Sequence, residues 1–250
     1  MGKELGALTL ADMAPVDEFH IGGQLASRAL LDQIGLGPDD MVADFGCGLG
    51  GTSRFIAETY GSRVDGIDLT AEFIEAGTAI SGWLGLSDRV RLKHGNALNT
   101  GFDSDAYGAA CMVHVGMNIP DKAALFAEVA RVLKPGGQFA LYDIVTNSER
   151  ALDYPVPWAA GPQTCAAVSL DTYKAALASA GFEISGTNDR THFAGEFFAK
   201  MKAAAAKGGT PPPIGLHLVF GTQTREKVAN MISNIADGRI APTEIIARKI

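Results

Sequence analysis

Asp44-Phe-Gly46-Cys-Gly48-Leu-Gly50-Gly51 crowds glycines behind an acid, and it is the stretch of this chain best suited to hold a ligand. Glycine is needed where the backbone turns sharply and main-chain N–H groups must approach a bound group closely. Asp68 follows about 20 residues later at the end of an apolar run, where a carboxylate can accept hydrogen bonds from both hydroxyls of a ribose. Gly46, Gly48 and Gly51 also satisfy the GxGxxG spacing of a dinucleotide-binding turn. A nicotinamide-dependent oxidoreductase is therefore one competing reading, and a catalytically silent cofactor-binding module is another.

A second set of residues could act on whatever that ligand meets. His114 closes the apolar run Tyr107–His114, and an imidazole there can accept a proton or orient a substrate. His20 lies in Asp17-Glu-Phe-His20-Ile-Gly-Gly23, ahead of the glycine loop, and serves either as a second catalytic histidine or as part of a cap. Asp143 ends another apolar run and either contacts an acceptor ammonium or caps the next segment. Trp158 offers a cation–π wall or plain packing, and Met117 either touches the pocket or packs. Cys47, Cys111 and Cys165 lack CxxC spacing, so no metal site or disulfide framework is expected, and a reducing compartment suits them.

The elements that must position these residues alternate along the chain. Strands are predicted at 41–45, 63–67, 90–93, 107–114 and 137–145, with helices at 52–60, 71–84 and 123–133 between them. Such alternation implies a parallel, doubly wound α/β sheet. In Leu133-Lys-Pro-Gly-Gly137, Pro135 is expected to end a helix and the glycines to turn into the next strand. A helix at 170–180, a strand at 182–187, helices at 192–207 and 225–237, a Thr-Pro-Pro-Pro loop ending at Pro213 and a closing strand at 239–250 complete the pattern. Phe193, Phe197, Phe198 and Met201 have helical spacing and are expected to form the buried side of the inserted helix. The divisions are an N-terminal helical cap at 1–39, a core at 40–190, a helical lid insertion at 191–237 and the core's final strand at 238–250.

At the scale of the whole chain, 250 residues with 47% hydrophobic and 20% charged side chains describe an ordinary globular protein. The net charge of −7 and the lack of a basic stripe argue against a nucleic-acid partner. No apolar run is long enough for a membrane span, and acids occupy the N-terminus where a signal peptide would be apolar. The expectation is a cytoplasmic protein with a small-molecule partner, and a homo-oligomer is compatible with it.

Taken in order, Asp44-x-Gly46-x-Gly48-x-Gly50, Gly66-Ile-Asp68-Leu69, Gly95-Asn96-Ala97 and Leu133-Lys-Pro-Gly-Gly137 resemble the class I S-adenosylmethionine-dependent methyltransferases, over about residues 19–145. The resemblance implies a Rossmann-like seven-stranded sheet with the last strand antiparallel, and S-adenosylmethionine as cofactor. It also implies that the loop of Asp44, Gly46 and Gly48 holds the cofactor's methionine portion, that Asp68, with Leu69 beside it, holds the ribose, and that Asn96 and Ala97 flank the adenine. Many members carry Asp where this chain has Asn96, and an amide, which both donates and accepts, retains recognition with weaker electrostatics.

Asp17–Gly23, Val113-His114-Val-Gly-Met-Asn118 and Pro155-Val-Pro-Trp158 resemble a narrower group, the N-methyltransferases of the sarcosine/dimethylglycine and phosphoethanolamine type. That resemblance points to an amine nitrogen as acceptor, with O- or C-methylation of a small metabolite as the alternative on the same scaffold. An amine with a lysine-like pKa must first lose its proton, at a cost of about 4.6 kcal/mol at pH 7, and His114 is the first candidate to take it.

Overall fold

The computed structural model describes residues 3–206 and 214–250, so the Thr-Pro-Pro-Pro loop and the predicted helix end at Lys207 lie outside the described residues. Short, nearly all-apolar segments form the interior strands, as expected where both sheet faces are covered by helices. In chain order they are β1 (Met41–Phe45), β2 (Arg63–Asp68), β3 (Val90–His94), β4 (Tyr107–Val113), β5 (Leu133–Thr146), β6 (Phe182–Asp189) and β7 (Ile240–Lys249). They form one seven-stranded sheet in the order β3-β2-β1-β4-β5-β7-β6, with β7 antiparallel to both its neighbours. This is the Rossmann-like sheet that the resemblance implied.

Helices α1 (Leu10–Asp17) and α2 (Gly23–Leu31) precede β1; α3 (Gly51–Tyr60), α4 (Ala71–Trp83), α5 (Lys122–Val132) and α6 (Leu170–Ser179) alternate with the strands. Helices α7 (Thr191–Ala206), α8 (Leu216–Phe220) and α9 (Thr224–Ala236) stand between β6 and β7. Strands β1 and β4 are neighbours from which the chain winds toward opposite sheet edges. Ligands bind open α/β sheets beyond the carboxyl ends of the strands at such a switch point. The glycine loop leaves β1 there and His114 leaves β4 there.

Two local features depart from the sequence reading. Leu133 already pairs with Tyr107, so β5 begins before Gly137, and the ladder resumes only at Ala109 opposite Gln138. Pro135 has no N–H to give to a ladder, so Lys134–Gly136 bulge outward, exposed, between these two pairings. On α7, Ala194 is the buried residue, whereas Phe193, Phe197 and Phe198 are half-buried and Met201 is exposed. Phe193, Phe197 and Phe198 pack against the core cluster, and Phe197, Phe198 and Met201 also wall a cavity.

The N-terminal cap is fixed by a contact that no motif announces. Helix α1 starts at a capping box of Thr9 and Asp12 and ends at Asp17, whose carboxylate pairs with Arg54 of α3 at 2.7 Å. The Arg54 guanidinium is wholly buried and also donates to the Gly77 carbonyl and the Ser81 hydroxyl of α4, both at 3.0 Å. One ion pair thus ties the chain before residue 18 to the two helices that follow the glycine loop and β2. Among the described residues no helix is long and apolar enough to cross a membrane.

Candidate active site

The loop after β1 is knitted to β2 by its own backbone. Gly46 and Cys47 both donate to the Ile67 carbonyl, at 2.8 and 3.0 Å. Gly46 and Gly48 hold φ values of 74° and 55°, a left-handed region that a side chain strains. A Cβ on Gly48 would also stand 2.8 Å from the Phe19 ring. The Gly48 N–H donates to Asp68 Oδ2 and the Thr70 N–H to Oδ1, both at 2.9 Å. Each carboxylate oxygen keeps a further acceptor site for a ligand hydroxyl. Asp44 accepts the Ser53 hydroxyl at 2.6 Å, and burial pushes its carboxyl up to about 6. Asn96 turns its Oδ1 back to the Leu98 N–H at 2.9 Å, while Leu69 lies open at the rim.

Asp44, Gly46, Gly48, Asp68, Leu69, Asn96 and Ala97 all line one cavity of about 480 Å³. A carboxylate set for a diol, a side-chain-free turn and an apolar rim suit a nucleoside carrying an amino-acid tail, so these residues fit S-adenosylmethionine.

A second cavity of about 740 Å³ adjoins the first, and Phe19, His20, Phe73, His114 and Asn118 belong to both. Its far walls come from α7, α8 and α9, and it includes Met117 and Trp158. Trp158 gives its indole N–H to Cys165 Sγ at 3.4 Å, leaving the ring as wall. Asp143 is the candidate that the structure does not bring to either cavity. It is fully buried, accepts the Met117 N–H at 3.0 Å and the Tyr173 hydroxyl at 2.8 Å, and burial pushes it up to about 6. Through the Met117 N–H it holds the turn after β4.

The two histidines face each other at the junction, with ring centroids 6.1 Å apart and nearly parallel. His114 adopts φ 55°, its N–H donates to the Tyr142 carbonyl at 2.7 Å, and its ring stands edge-on to Tyr142. Its Nε2 is buried and has no partner among the described residues. Burial, with His20 nearby, lowers its pKa well below the ordinary imidazole value. His20 Nε2 lies 3.1 Å from the Gly23 carbonyl, which can only accept, so that nitrogen carries the proton. Burial pulls His20 down to about 4. Both rings are therefore neutral at pH 7, weak bases but available hydrogen-bonding groups. The lowered pKa weakens His114 as a proton acceptor and leaves its ring able to orient a ligand.

Sheet order, glycine loop and the acid that ends β2 are the features of the class I S-adenosylmethionine-dependent methyltransferases. Residues 42–137 match the family described as "Methyltransferase domain". Over 169 residues the chain is 34% identical to "Sterol 24-C-methyltransferase" of Eremothecium gossypii, covering 64% of this chain and 45% of that protein. Over 147 residues it is 36% identical to "Probable tocopherol O-methyltransferase, chloroplastic" of Oryza sativa subsp. japonica, covering 59% and 40%. The chain thus spans less than half the length of these curated relatives. The crystal structure of geranyl diphosphate C-methyltransferase from Streptomyces coelicolor A3(2), in complex with Mg2+, geranyl diphosphate and S-adenosyl-L-homocysteine, superposes with a TM-score of 0.72. It is 26% identical and covers 91% of this chain and 79% of that one.

Proposed function

We propose that this protein transfers a methyl group from S-adenosylmethionine to a carbon atom of an apolar, uncharged small molecule. The observation that carries this reading is the second cavity: apolar and aromatic, joined to the cofactor cavity at His20 and His114, with no Lys or Arg among the described residues that line it. Bound there, the cofactor supplies an electrophilic methyl group on a sulfonium. The chain's own part is to align the acceptor with it and to exclude water. Asp44, Gly46, Gly48, Asp68, Leu69, Asn96 and Ala97 hold the cofactor; Met117 and Trp158 shape the acceptor side; His114 and His20 orient the reacting end. The helices within 191–237 act as the far wall of the acceptor cavity.

Carbon is favoured over the amine nitrogen suggested by the narrower resemblance for two reasons. An ammonium must surrender a proton before it can react, at a cost of about 4.6 kcal/mol at pH 7 for a lysine-like amine. An alkene carries its nucleophilic electron pair without prior deprotonation. Two of the relatives' names print C-methylation, of a sterol and of geranyl diphosphate, and these acceptors share isoprenoid chemistry with the tocopherol of the third. A diphosphate suits this chain less well, because phosphate recognition draws on cationic partners that the described lining does not offer.

The test is release of S-adenosylhomocysteine with four acceptor classes: geraniol and farnesol, geranyl diphosphate, a sterol, and sarcosine with dimethylglycine. Turnover is expected with uncharged isoprenoids. Turnover with the amines alone would overturn the reading.

A further inference from the structure

Glu18 stands in the wall of the acceptor cavity, beside His20 and α2, and no motif gives it a role. Its side chain is 3% exposed. Oε2 accepts the Ser27 hydroxyl at 3.0 Å and lies 3.4 Å from His20 Nε2. Oε1 is buried and has no hydrogen-bond partner among the described residues. Folded proteins seldom leave a buried carboxylate oxygen unpaired, because its lost hydration is not replaced. In an otherwise apolar wall beside a reacting centre, such an oxygen can face a positive charge or take a proton.

We propose that Glu18 is the catalytic proton acceptor of the methyl transfer and the counter-charge to the cation that precedes it, with Ser27 and His20 as its positioning residues. This rests on the apolar-acceptor reading above. In the first step the acceptor's π pair forms a C–C bond to the methyl carbon while the S–CH3 bond breaks and sulfur keeps that bond's electrons. Positive charge then resides on the neighbouring acceptor carbon. In the second step an adjacent C–H bond breaks, its electron pair re-forms the alkene, and the proton passes to Glu18 Oε1. The histidines cannot do this as well, because burial has made both weaker bases.

Geometry and surroundings agree. Burial pushes Glu18 up to about 7; the nearby Asp17 and Asp44 push the same way, and Ser27 and Arg54 oppose them. His20 Nε2 stands 3.4 Å from Glu18 Oε2 on a neutral ring, and His114 lines the same cavity. The carboxylate is thus poised to exchange a proton near neutrality, where a base is most effective.

The test uses two probes with the same alkyl chain, N,N-dimethyloctylamine, protonated at pH 8, and neutral 2-methyl-2-decanol, titrated calorimetrically into the S-adenosylhomocysteine-loaded protein. At pH 8 the ammonium should bind at least tenfold tighter than the alcohol, and the preference should fade toward pH 6. Glu18→Gln should abolish the preference while alcohol and S-adenosylhomocysteine affinities stay within twofold. Ser27→Ala removes a donor that favours the ionised form, so the preference should fade at a higher pH than in the wild type. That shift is not expected of a residue that merely packs. Alcohol binding without ammonium preference, or a preference that survives Glu18→Gln, would overturn the inference alone. Failure of the alcohol to bind would remove the apolar-acceptor reading and the inference with it.

Discussion

His114 is held with its backbone in the left-handed region, which costs a non-glycine residue about 1–3 kcal/mol unless the surroundings impose it. The fold keeps it there by pairing its N–H with Tyr142 and seating its ring against the Tyr142 side chain. His114→Gly should relieve the backbone strain that His114→Ala retains. Chemical denaturation should therefore find the glycine variant more stable than the alanine variant by about 1 kcal/mol, the reverse of the order usual elsewhere. Both should lose turnover about 2- to 10-fold, as for one lost neutral orienting hydrogen bond, with cofactor affinity nearly unchanged. Asp68→Ala should weaken S-adenosylhomocysteine binding about 10- to 100-fold by calorimetry, through the lost ribose acceptor and a loop no longer held at Gly48. Residues of this kind were legible because their types and spacing carry their chemistry. Asp143 and Glu18 were not. What each does depends on burial and on partners set by the tertiary fold, Tyr173 for one and the apolar cavity wall for the other.

Among the elements, the strands and helices of the sheet could be read from hydrophobic runs, because interior strands must be apolar on both faces. The start of β5 could not, since the pairing of Leu133 with Tyr107 skips Pro135 and is set by the neighbouring strand. The docking of α1 was equally hidden. It depends on Asp17 meeting Arg54 inside the protein, and nothing in the sequence pairs the two residues. Removing one member of a buried ion pair costs about 3–5 kcal/mol, whereas replacing both by apolar groups is often close to neutral. Asp17→Ala should therefore destabilise by that amount in urea unfolding, and Asp17→Leu with Arg54→Met should recover a large part of it. The single variant should also weaken cofactor binding, because Phe19 and His20 depend on α1 for their place in the cavity wall.

Across the whole molecule, the buried ionisable groups set opposing responses to pH. Glu18, raised from 4.5 to about 7, holds its proton more tightly when folded, so its contribution is complete below pH 4.5 and is lost as pH rises through 7. The span corresponds to about 3 kcal/mol. His20, lowered from 6.5 to about 4, acts in the opposite sense, with stability present above pH 6.5 and lost as pH falls toward 4. Glu18→Gln removes only the first effect. Relative to the wild type, the variant should gain stability between pH 5 and about pH 7 and level off by pH 8 in urea titrations, and a constant difference would show that Glu18 is not buried as described.

The central claim joins the two cavities into one reaction, with the methyl group delivered to carbon. The most direct measurement is the carbon-13 NMR spectrum of products formed from S-adenosylmethionine labelled at its methyl carbon, with farnesol, a sterol and sarcosine offered together. The account predicts that the label appears as a methyl group bonded to carbon in an isoprenoid product. A label found only on the nitrogen of sarcosine would contradict it.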